Sequence, residues 1–115
     1  MAEGCLFCRI VAGEIPADIV FRGAGVVGFR DIAPKAPVHI LIVPEVHISG
    51  AAEVTADTEE IAGRLIRIAA AIARQQNIGE SGYRLIINQG EDAGQSVAHL
   101  HIHLLGGAPL SLNLA

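Results

Sequence analysis

A chain of 115 residues, 51% of them hydrophobic, supports one domain with one real core and is too short for two. Its eight Lys and Arg are scattered and outnumbered by twelve Asp and Glu, for a formal charge of -4. That excludes a protein that grips a nucleic acid polymer through clustered phosphate contacts, though not one that holds a single nucleotide in a pocket. Met1-Ala2-Glu3-Gly4-Cys5 shows no basic region leading into an apolar stretch, and no apolar run approaches bilayer-spanning length. The expectation is a cytoplasmic protein without a membrane partner. In that reducing compartment, two cysteines three positions apart hold a metal or do redox chemistry more often than they staple a fold.

No repeat or linker divides the chain, so a single domain over residues 1–115 is expected. Leu6 to Ala12 suits a short helix, ended by Gly13 and Pro16. Two strand-like runs follow, Asp18 to Arg22 and Val26 to Asp31, joined by a hairpin turn at Gly23-Ala24-Gly25. Pro34 and Pro37 bracket a loop, and Val38 to Val43 is apolar and β-branched enough for a central strand that Pro44 stops. In the one long helix, Ile61, Leu65, Ile68, Ala69 and Ile72 share a face, with Thr55 or Asp57 as its N-cap. Asn77 and Gly79 end it. Tyr83 to Asn88 reads as a strand, a glycine-containing loop follows, and Val97 to Leu105 reads as the last strand. Strands interrupted by one substantial helix predict an α+β fold: a mainly antiparallel five-stranded sheet, one long helix and a short N-terminal helix.

On a strand, His99, His101 and His103 share one face, while Leu100, Ile102 and Leu104 line the core side. A lone histidine would be read as a satisfied core or surface residue. Three in alternation open two further readings: metal ligation through an i, i+2 pair, or catalysis by a neutral imidazole near its ordinary pKa of about 6.5. The preceding loop, Asn88 to Ser96, brings amide, hydroxyl and backbone N–H groups suited to a phosphate.

His99-Leu100-His101-Ile102-His103-Leu104-Leu105 resembles the signature of the histidine triad family. Phe29 to Pro37, His39 to Pro44, Gly94-Gln95-Ser96 and Leu105-Gly106-Gly107 extend the likeness over nearly the whole chain, closest to the branch that hydrolyses nucleoside phosphoramidates. The resemblance implies a purine nucleotide-binding hydrolase acting on the α-phosphate. His101 would be the nucleophile that forms a nucleotidyl-histidine. His39, with backbone near His103, would orient the His101 ring, and His103 and Ser96 would serve the phosphate and the leaving group. Asn88, Gly94, Gln95 and Ser96 carry over as phosphate-side contacts and Asp31 as the ribose carboxylate. Leu6, Phe7, Ile10, Ile15, Phe29 and Ile32 carry over as the purine wall, although each suits plain core packing as well.

Cys5-Leu6-Phe7-Cys8 supplies half of a tetrahedral zinc site, and a thioredoxin-like role would need a βαβ context that this chain lacks. The resemblance points to His47 and His99 as the other two ligands. It thus implies a structural zinc and a reaction that requires no catalytic metal. Phosphoramidases of the mammalian branch commonly lack these cysteines. Ala98 stands where a Tyr often precedes the triad, and the tail Ala108 to Ala115 lacks a Trp found in some relatives. These departures leave open a dinucleoside polyphosphate hydrolase, or a nucleotide-binding scaffold with little turnover. A homodimer is implied as well, paired through the long helix and a sheet edge such as Tyr83 to Asn88.

Overall fold

The computed structural model describes residues 4–111, so Met1-Ala2-Glu3 and the last four residues of the tail lie outside it. Helix α1 (Leu6–Val11) starts where the Cys5 thiol accepts the Cys8 N–H at 3.3 Å, a cysteine doing the work of a polar N-cap. Strands β1 (Ile19–Gly23) and β2 (Val26–Arg30) form the expected hairpin. Its turn places Ala24 at φ 55° and Gly25 at φ 77°. Two successive positive φ angles are what a two-residue hairpin loop demands, and glycine meets that at the second position without steric cost.

Strand β3 (Val38–Pro44) occupies the middle of a five-stranded sheet, with β4 (Tyr83–Ile86) and β5 (Ile102–Gly106) completing the order β1-β2-β3-β5-β4. Every neighbouring pair is antiparallel. The uninterrupted apolar run of β3 reflects burial on both faces. Ile40 and Ile42 face helix α2 (Glu59–Gln75) together with Leu65, Ile68, Ala69 and Ile72, while Leu41 and Val43 face α1 with Phe7, Ile10 and Phe29. Each large aliphatic side chain so buried contributes about 1.5–3 kcal/mol. Gly28 sets how close the long helix can come: a Cβ there would lie 3.0 Å from Ile72 Cδ1.

Three expectations change. The N-cap of α2 is Thr58, not Thr55 or Asp57, and no side chain caps the helix. Thr55 and Thr58 instead bond each other in a local turn, and Glu59 and Glu60 supply negative charge to the first helical turn. The last strand begins at Ile102 rather than Val97. Its ladder with β3 ends at Ile42↔Ile102, because Pro44 has no N–H to continue it and Glu45 donates its own to Gly25 across the β2 side. His99 and His101 therefore precede the strand and only His103 lies within it. The face alternation survives: Leu100, Ile102 and Leu104 all enter the core under α2. Strand β4 stops at Ile86, paired with His103; Ile87 and Asn88 fall outside.

Candidate active site and metal centre

Backbone groups fix the protonation pattern of three histidines and, through one of them, that of a fourth. His101 Nδ1 lies 2.7 Å from the His99 carbonyl, which can only accept, so Nδ1 carries the proton and Nε2 keeps a lone pair. His99 Nε2 lies 2.9 Å from the Pro44 carbonyl, so its lone pair sits on Nδ1. In His39 the pattern is reversed. The Lys35 N–H donates to its Nδ1 at 3.0 Å, leaving the proton on Nε2, which points at His103 Nδ1 at 2.9 Å. His103 is then left with an Nε2–H to offer a ligand.

Two contacts around His101 differ from the expectation: His39 bonds His103, and the carbonyl that holds His101 belongs to His99 rather than to backbone near His103. Asp31 Oδ2 stands 3.4 Å from His39 Nε2, while its Oδ1 accepts the Ala33 N–H at 2.8 Å. Burial, with the nearby His101 and His39, pushes His103 down to about 4 against the opposing pull of Asp31. Burial also lowers His39, partly offset by Asp31. Both rings are neutral at pH 7.

His101 and His103 line a cleft of about 280 Å³ whose walls include Leu6, Phe7, Ile10, Ile15, Phe29 and Ile32, with Asp31 and Ser96 among its polar lining. All six apolar residues expected to face a purine are thus brought together. Phe7 and Phe29 are buried and meet edge to face at 5.4 Å, whereas Ile32 is 100% exposed at the rim. Asn88 lines an adjoining cavity of about 350 Å³ that shares Asp31 and His103 with the cleft. Gly94, at φ 76°, closes a single turn and lines neither space. The Gln95 side chain is spent on the loop, accepting from the Gly90 N–H and donating to the Ser49 and Val97 carbonyls. Leu41, Pro16, Ala17 and Arg30 also line the cleft and were not anticipated. Of these Leu41 was findable, being two residues from His39 on the same strand face.

Beside the cleft, one donor atom each from Cys5, Cys8, His47 and His99 lies within 4.8 Å of the others. The thiols stand 3.3 and 3.4 Å from His99 Nδ1, and Cys8 Sγ is 3.3 Å from His47 Nδ1. Sulfur and nitrogen ligands of a tetrahedral zinc sit ~3.5 Å apart. The set therefore fits a Cys2His2 ion, with the Pro44 carbonyl orienting His99 from behind. Burial, then the hydrogen bond and charge of Cys5, push the Cys8 thiol up to about 11, so two thiolates here call for a cation. Asp31, His39 and His103 also group within 4.8 Å, but there His39 Nδ1 accepts rather than donates. A ligating Nε2 would need the proton moved to Nδ1, against the Lys35 N–H. The trio is arranged to hold a proton.

A model of the HIT domain family matches residues 12–110. The chain is 50% identical over 115 residues to the purine nucleoside phosphoramidase of Escherichia coli strain K12, covering 100% of this chain and 97% of that protein. It is 43% identical over 108 residues to a 14 kDa zinc-binding protein of Zea mays, covering 92% and 84%. The crystal structure of a HIT family hydrolase from Legionella pneumophila Philadelphia 1 superimposes with a TM-score of 0.93 at 42% identity, covering 96% and 98%. With the triad, the cleft and the sheet in agreement, this chain belongs to the HIT domain family.

Proposed function

We propose that the chain is a purine nucleoside phosphoramidase that works through a nucleotidyl-histidine intermediate on His101. The observation that carries this is the bond from His101 Nδ1–H to the His99 carbonyl, which leaves the Nε2 lone pair as the nucleophile in the lining of a largely apolar cleft. The purine lies between Phe7, Phe29 and Ile10, with Leu6, Ile15 and Ile32 at its edges, and Asp31 accepts from the ribose hydroxyls. Nε2 attacks the α-phosphorus. The P–N bond breaks with its electron pair on nitrogen, which leaves as amine after taking a proton from solvent through the Ser96 hydroxyl. His103 Nε2–H bonds a phosphoryl oxygen, held in that tautomer by His39. Asn88 and the Ser96 backbone complete the phosphate side, the Gly94 and Gln95 N–H groups being bonded to the Glu91 and Gly90 carbonyls of their own loop. Water then attacks phosphorus and returns a proton to solvent through the Ser96 hydroxyl, the electron pair of the P–N bond to His101 returns to Nε2, and nucleoside monophosphate departs.

Incubation with adenosine 5'-phosphoramidate, following ammonia and AMP, tests this. Turnover absent in His101→Ala and faster than that of a dinucleoside polyphosphate is expected. No turnover of either substrate above the His101→Ala level overturns it in favour of a binding protein.

The Cys2His2 set is read as a structural zinc site, closed to substrate, with zinc at about one per chain in elemental analysis. Cys5 and Cys8, held side by side without a disulfide, support a cytoplasmic enzyme. The open edge of β4, with Ile66 and Ile87 exposed, supports a homodimer, tested by light scattering.

A further inference from the structure

We propose that the metal held by Cys5, Cys8, His47 and His99 also positions the nucleophile, with His99 as the positioning residue between them; this rests on the readings of His101 and of the metal site above. His99 meets both thiols through Nδ1 and presents its own carbonyl to His101 Nδ1–H at 2.7 Å. That carbonyl gets little help from the sheet, because β5 starts only at Ile102. Around it the main chain is tied by the bonds from the His99 N–H to Val97 and from the Leu100 N–H to Ile48. The His99 ring is 0% exposed, anchored by Pro44 at one nitrogen and by the ligand cluster at the other. Fixing that ring fixes the carbonyl, and the carbonyl fixes the tautomer and aim of His101.

A second contact runs the same way. Phe7, between the two cysteine ligands, packs edge-on against His101 at 5.0 Å and 90°, and against His99 at 6.0 Å. The ion therefore ties down two of the groups that confine the His101 ring. Small errors in the aim of a nucleophile cost rate far more than affinity. Loss of the ion is expected to lower kcat by about tenfold to a hundredfold and to change AMP affinity by less than about threefold.

The test compares zinc-loaded protein, chelated protein, His47→Ala and His47→Cys by nitrogen-15 imidazole NMR, with kcat and AMP affinity measured in parallel. The loaded protein should show His101 as the Nδ1–H tautomer with a slowly exchanging proton. Chelation and His47→Ala should mix the tautomers, and restored zinc or His47→Cys, which offers a Cys3His set, should recover them. If His47→Ala does not fold, chelation and reloading of the wild type carry the same comparison. Unchanged His101 signals after zinc removal, failure of reloaded zinc to restore them, or a protein that takes up no zinc overturns the proposal. The NMR readout needs no turnover, so a tautomer shift in a protein without phosphoramidase activity would sink the proposed function and leave this link standing.

Discussion

Two clusters of ligand-type side chains flank the nucleophile, Cys5-Cys8-His47-His99 on one side and Asp31-His39-His103 on the other, each with donor atoms within 4.8 Å. By composition either could bind a metal. What separates them is the main chain behind one ring in each: the Pro44 carbonyl accepts a hydrogen bond from His99, and the Lys35 N–H donates one to His39. The first arrangement frees a lone pair among thiols; the second sends an N–H toward another imidazole. The same side-chain chemistry is assigned to a cation in one place and to a proton in the other by a single backbone group.

The largest expected effect falls on the residue between the clusters. His101→Ala should lower turnover by about 10³-fold or more while AMP still binds, as measured by single-turnover kinetics and calorimetry. His39→Ala should separate the clusters, with kcat down about 10²-fold and zinc content unchanged; loss of zinc in that variant would break the comparison. Acid should distinguish them next. His103 and His39 titrate lower in the folded chain than when unfolded, so the unfolded chain binds more protons between pH 6.5 and about 4. Stability is therefore full above pH 6.5 and falls through that window, by on the order of 1–3 kcal/mol, and His103→Asn should flatten the fall in denaturant titrations. Asp31→Asn should raise KM for ribonucleotides about tenfold and erase their advantage over 2'-deoxy analogues. The smallest effect is Ile32→Ala, a few-fold in purine affinity at most, because that side chain is 100% exposed at the rim.

Side-chain patterns made much of this molecule legible. Period-two alternation placed Leu100, Ile102 and Leu104 under the helix, helical spacing found the stripe of α2, and Pro44 ended β3. Where regular structure gives out, legibility fails: nothing in Val97 to His101 announces that its ladder partner has ended, because the cause lies at Pro44 across the sheet. The partners of His39, His99 and His101 were hidden for a related reason. Two of them are carbonyls and one is an N–H, groups every residue carries alike. Gln95 was legible as polar but not as a brace, since its bonds reach to Ser49, far away in sequence.

The Lys35 N–H gives position 35 an unusual tolerance profile. Its side chain is exposed, so a charged, apolar or small residue there would leave the His39 contact intact. Proline alone, lacking the donor, would release the His39 ring to swap its proton between nitrogens and blunt His103 without touching either histidine. A mutational scan of this loop would then show an otherwise permissive site with one forbidden residue, the mark of information stored in the main chain rather than in the side chain.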